Sequence, residues 1–231
     1  MKAFAVLVSN CAGKPELYAK HGLSLFIRYG KNEYLFDTGQ DELFIANSSF
    51  MNLKLENIKF AALSHYHSDH IGGIPFLSKH FSMVSMVCNI YHPEFTQEFK
   101  LPALKSHVVK SVLKVNDECF LIPTEATFNS ETFTELSMVV GKALFVGCGH
   151  SGIENILEVA KEYSDITTVA GGFHNFDVQI EETKKCAENL FLSGVKRIVF
   201  LHCSSLKSVR YFEDAGIECF FGKVGNNFRF E

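Results

Sequence analysis

Residues 65–70 read His65-Tyr66-His67-Ser68-Asp69-His70, three of the chain's ten histidines and an aspartate in six positions, followed at once by Ile71-Gly72-Gly73. The stretch just before them, residues 57–64 (NIKFAALS), is apolar and reads as a strand, so the cluster begins where a strand runs out. In an extended segment residues two apart project to the same side, which lets His65 and His67 reach one ion together. Asp69 and His70 stand at the turn into the next helix and point elsewhere, toward a neighbouring ion. Imidazole combined with carboxylate suits zinc, iron or manganese and lacks the dense oxygen shell that calcium requires.

The same arrangement recurs outward from this point. Asp37 ends the apolar run of FDTG, His150 that of LFVGCGH, His174 that of VAGGFH and His202 that of VFLHC. Loops at strand ends are where layered α/β folds present functional groups. If these ends converge on one edge, about five histidines and two aspartates share a small volume.

The rest of the chain supports such a fold. Residues 4–10, 23–30 and 32–39 read as strands, and 41–53 has helical apolar spacing with acids in its first turn. A further helix starts near Ile74, with Pro75 tolerated in its first turn. Between 81 and 135 only 83–91 and 117–124 read as strands. Then come strand 142–147, helix 152–163, strand 166–172, helix 181–192 and strand 197–202, with short apolar runs at 219–225 and 227–230. Alternation of this kind predicts a layered α/β architecture, and the absence of a linker or repeat predicts one domain over 1–231.

Composition narrows the function. The 231 residues are 47% hydrophobic and 21% charged, and 23 phenylalanines point to a Phe-built core. The net charge of -4 with no basic block argues against nucleic-acid partners and an anionic membrane surface, and no apolar stretch is long enough to span a bilayer. Seven scattered cysteines with no CxxC pair, and an N-terminus without a leader, predict reduced thiols and a cytoplasmic location. The sequence is silent on oligomeric state. His21, His80 and His107 carry no motif and read as incidental. His92, in YHPEF, reads either as a plain surface-loop histidine or as a residue lining the substrate entrance. Ser151, in a glycine-rich loop opening a helix, is a candidate contact for a substrate phosphate.

His65-x-His67-x-Asp69-His70, preceded by Asp37 in FDTG and followed by strand-end histidines, resembles the metallo-β-lactamase fold superfamily. GCGHSG (147–152), GGFH (171–174) and LHCS (201–204) are similar to the branch named after the dihydropterin ribofuranosylaminobenzene-phosphate synthases. The resemblance implies a four-layer αββα sandwich carrying one or two divalent metal ions, zinc first with manganese or iron as alternatives. It implies that His65, His67 and His150 bind one ion and that Asp69, His70 and His202 bind a second. Asp37 would orient the motif loop, and Asp69, where it is not held rigidly to a metal, would also shuttle a proton to the leaving group. Many relatives carry a bridging aspartate where LFVG here runs into Cys148. Either Cys148 ligates in its place or the bridge is missing, and His174 either replaces the missing ligand or contacts substrate.

The implied function is hydrolysis of a small-molecule ester, phosphoester or related bond, the substrate phosphorylated or pterin-like, by metal-activated hydroxide. Two rivals predict different results: an iron-dependent thiol or sulfur dioxygenase, and a non-catalytic metal-binding module.

Overall fold

The computed structural model describes residues 1–95, 100–175 and 179–231. They form two compact units, Met1–Ser111 with Lys223–Arg229, and Val112–Gly222 with Phe230–Glu231.

The first unit opens with β1 (Lys2–Val8), β2 (Ser24–Tyr29) and β3 (Asn32–Phe36), an antiparallel meander. Gly30 takes a positive φ at the turn between β2 and β3, a conformation that costs glycine little. Helix α1 (Leu43–Phe50) leads to β4 (Phe60–Ala62), and α2 (Ser68–Ile71) and α3 (Ile74–Met83) lead to β5 (Cys88–His92), followed by β6 (Leu104–Val108). The strand Asn227–Arg229 returns to pair with β1, giving the order returning strand, β1, β2, β3, β4, β5, β6. From β3 to β6 the pairing is parallel, so the C-terminal ends of β3, β4 and β5 emerge on one edge. Phe44, Ile74, Leu77 and Phe81 pack with Leu7, Leu35, Leu63 and Ile90. Each such fully buried side chain contributes about 1.5–3 kcal/mol. The strand expected over 83–91 begins only at Cys88, because α3 runs on to Met83 and Ser85 turns with a φ of 55°.

The second unit contains β7 (Leu113–Asn116), β8 (Cys119–Phe128), β9 (Glu131–Val140), β10 (Ala143–Val146), α4 (Ile153–Lys161), β11 (Thr168–Gly171), α5 (Ile180–Leu192), β12 (Arg197–Phe200), α6 (Val209–Asp214) and β13 (Glu218–Phe221). Its sheet runs β13, β12, β11, β10, β9, β8, β7. Strands β10 to β13 are parallel, so the loops after β10, β11 and β12 share an edge. Helix α4 buries Ile153, Ile156, Leu157 and Ala160, the i, i+3, i+4, i+7 stripe of an amphipathic helix. These pack with Val146, Val169 and Ile198 from the strands. Strand β9 was not legible in the sequence: it pairs with β8 over ten residues through a turn at Asn129 and Ser130, both at positive φ, without the usual glycine.

Candidate metal centre

In the first unit Asp37 follows β3 and residues 64–70 follow β4, neighbouring parallel strands. Asp37 is fully buried, with a φ of 58°. Its Oδ1 accepts the Ser64 N–H at 2.7 Å, and its Oδ2 accepts the Ser64 hydroxyl at 2.8 Å and the His70 Nδ1–H at 2.7 Å. These bonds fix tautomers. Because the Ser64 hydroxyl donates to Asp37, its oxygen accepts from the His65 Nδ1–H, 2.9 Å away. His65 therefore presents its Nε2 lone pair, which lies 2.9 Å from His67 Nδ1. His70 likewise presents Nε2, 3.8 Å from Asp69 Oδ2.

The expected residues thus come together in this unit: His65 with His67, Asp69 with His70, and Asp37 behind them. The donor set fits a divalent ion. Two nitrogens on one tetrahedral zinc stand about 3.3 Å apart at the usual Zn–N length, so the His65–His67 pair needs to open by only a few tenths of an ångström. His21, which reads as incidental in the sequence, brings its Nε2 to 3.2 Å from Asp69 Oδ2. It precedes β2 in a loop without any motif. The close approach of this loop also explains Gly22, where a Cβ would fall 2.5 Å from the Asp69 carbonyl oxygen.

The second unit carries Cys148 and His150 after β10, His174 after β11, and His202 and Cys203 after β12. Ligand atoms of Cys148, His174 and Cys203 all lie within 4.8 Å of one another, a soft donor set compatible with zinc. The ring centroids of His150 and His174 are 4.5 Å apart, with Phe128 against both. His202 is buried. His174 and His202 take φ values of 42° and 47°, left-handed conformations of the kind that cluster at functional sites. A hydrogen bond with Cys148 holds the Cys203 thiol well below its ordinary range, overcoming the opposing effect of burial.

Glu135, in β9, is the group that sequence reasoning missed. It is fully buried; Oε1 accepts the N–H groups of Cys148 (2.7 Å) and Gly149 (2.9 Å), and Oε2 accepts that of His150 (2.7 Å). It does for the 148–150 loop what Asp37 does for 64–70. Two other expectations are redrawn. His92 is buried at the end of β5, bonded to Ser106 and the Pro93 carbonyl, because it completes the strand and does not lie in a surface loop. The Ser151 hydroxyl is engaged with Thr124 at 2.9 Å.

The sequence model of the metallo-β-lactamase superfamily matches residues 17–160. The chain belongs to the metallo-β-lactamase superfamily. An uncharacterised protein of Methanocaldococcus jannaschii is 24% identical, over 88% of this chain and 91% of its own length. The 7,8-dihydropterin-6-methyl-4-(β-D-ribofuranosyl)-aminobenzene-5'-phosphate synthase of the same organism is 25% identical, over 84% of each chain. A crystal structure of a metal-dependent hydrolase of the β-lactamase superfamily superposes with a TM-score of 0.80 at 22% identity, covering 100% of this chain and 99% of the other. A diphosphatase of the PhnP family superposes at 0.68 and 15% identity, covering 100% and 98%. The short form of human tRNase Z superposes at 0.67 and 16% identity, covering 98% of each. The α/β sandwich expected from the sequence is the fold of this superfamily. Superfamily members bind divalent metals, and no described helix is long and apolar enough to cross a membrane.

Proposed function

We propose that this chain is a metal-dependent hydrolase acting on a small-molecule ester or phosphoester, with one or two divalent ions, zinc first. In this reading His65, His67 and His150 hold one ion and Asp69, His70 and His202 a second, within one working domain over 1–231. Cys148 and His174 supply a further ligand or a substrate contact. The observation that carries the reading is the His65–His67 pair, nitrogen to nitrogen at 2.9 Å, with the His65 tautomer dictated by Ser64 and Asp37. Support comes from relatives named for metal-dependent hydrolysis and for a diphosphatase.

A divalent ion bound there acts as a Lewis acid and makes hydroxide accessible near neutral pH. The chain's own residues do the rest. Asp37 holds Ser64 and His70 in place, Glu135 holds the 148–150 backbone, and Asp69, partly exposed, would pass a proton to a leaving group where it is not held rigidly to a metal.

Metal content of the purified protein and turnover of a panel of phosphoesters, lactones and thioesters test this together. His67→Ala abolishes both metal retention and turnover. Turnover that survives loss of the metal defeats the mechanism, and stoichiometric iron with thiol-dependent oxygen uptake replaces it with redox chemistry.

A further inference from the structure

The second unit contains a cavity of about 520 Å³ whose wall carries Thr183, Ser205, Lys207, Ser208, Arg210 and Tyr211. Its chemistry is one-sided. Among the described residues it presents two cations and four hydroxyl-bearing side chains, and none of its described lining residues is acidic, in a chain whose net charge is -4. Ser205 and Ser208 are buried, and their hydroxyls make no hydrogen bond among the described residues. The Arg210 guanidinium is aligned by donating to the Tyr211 hydroxyl at 2.6 Å. Hydroxyls together with Arg and Lys are the donors that an oxyanion requires, and a planar guanidinium suits phosphate in particular.

The cavity is also lined from the second-unit loops that carry His174 and His202. The Ser205 N–H donates to Asn175 Oδ1 at 2.7 Å, tying the residue after His174 to the loop carrying His202, and both residues line the cavity. Its volume falls in the range of small-molecule sites and far exceeds a bare anion, while Ile180 and Leu206 offer apolar surface for an organic body.

We propose that this cavity binds the phosphate of a small phosphomonoester, and that phosphomonoesters are the substrate class of the metal centre; the second half of this rests on the hydrolase reading above. Lys207 and Arg210 are exposed, so they can close on the phosphate from the rim while Ser205 and Ser208 receive it inside.

Isothermal titration of the full-length protein with inorganic phosphate and with ribose 5-phosphate tests the pocket. Wild type and His67→Ala are expected to bind ribose 5-phosphate with equal affinity, and K207A/R210A at least tenfold more weakly with an unchanged circular dichroism spectrum. K207Q/R210Q, which keeps the side-chain bulk, is expected to show the same loss. Binding unchanged in both double variants, or lost only in His67→Ala, overturns the proposal. A short single-stranded RNA that binds more tightly than ribose 5-phosphate, and loses that binding in K207A/R210A, overturns it in favour of a nucleic-acid backbone. The binding arm does not depend on turnover. Intact, variant-sensitive binding with no ester hydrolysed upholds the pocket and sinks the hydrolase reading alone.

Discussion

Asp37 and His70, 33 residues apart in sequence, are joined by a fully buried hydrogen bond of 2.7 Å, and the same carboxylate also holds the backbone and hydroxyl of Ser64. One side chain therefore sets the tautomer of His70 directly and that of His65 through Ser64.

Asp37→Ala leaves the Ser64 N–H and the His70 Nδ1–H without that acceptor. At about 1.5–3 kcal/mol per charge-assisted bond, the expected loss of stability is about 3–6 kcal/mol, measured by urea denaturation. Asp37→Asn keeps the shape but loses the charge. Its expected signature is zinc affinity reduced about 10–100-fold in competition with a chelator. Unchanged zinc affinity in a folded Asp37→Asn protein removes Asp37 from the centre.

Glu135 makes the matching prediction for the second unit. The carboxylate accepts three backbone N–H groups from residues 148–150, and Glu135→Gln turns one acceptor into a donor facing an N–H. The cost is about 2–4 kcal/mol, combining a lost charged bond with a desolvated donor. Glu135→Gln is also expected to weaken metal retention, read by inductively coupled plasma mass spectrometry after dialysis. A mutant that loses stability but retains its metal limits Glu135 to a folding role.

Gly72 tests whether the end of the His-rich stretch must lie close to the loop after β3. A Cβ there would fall 2.3 Å from the Gln40 carbonyl oxygen and 2.6 Å from that of Ser68, both backbone atoms that cannot turn aside. Its φ of -62° is ordinary, so only crowding is at stake. Gly72→Ala is expected to destabilise by about 1–3 kcal/mol, the usual penalty of overpacking, and to lower the melting temperature by several degrees. Gly30→Ala meets nothing within 4 Å and carries only the penalty of its positive φ. A smaller effect at Gly72 than at Gly30 contradicts the crowding argument.

Metal removal should affect the whole chain if the ions bind only the folded state. At free zinc a thousandfold above the dissociation constant, linkage contributes about 4 kcal/mol. Chelation is therefore expected to lower the melting temperature of wild type and to leave that of His67→Ala unmoved.

The parts of the fold and site that were legible share a cause. Parallel strands buried on both faces read as apolar runs, so a histidine or aspartate ending one stands out, as at Asp37, His65, His150, His174 and His202. Glu135 has no such mark. It lies inside β9, and an acid within a strand reads as solvent-facing. Only the antiparallel register with β10, Phe145 against Met138, carried three residues on, brings it opposite Cys148. His21 is hidden for a similar reason, meeting Asp69 through tertiary packing alone. The β8–β9 hairpin was missed because Asn129-Ser130 turns without glycine or proline.

The cysteines supply the last test. Burial pushes the thiols of Cys88, Cys119, Cys186 and Cys219 up to about 12, with Glu154 adding to the shift at Cys186, and Glu213 and Glu218 at Cys219. The thiolate is the reacting form, so at pH 8 only about one molecule in 10⁴ is reactive at each of these positions. Their thiolate fraction rises tenfold per pH unit while the fold persists, because each thiol stays neutral until the pH nears 12. Cys11 is exposed. Iodoacetamide at pH 8, followed by peptide mass spectrometry, is expected to modify Cys11 in the native protein while the other four react only after urea is added. Labelling of Cys88 or Cys119 as fast as Cys11 without denaturant means that the strands holding them open far more readily than their burial implies.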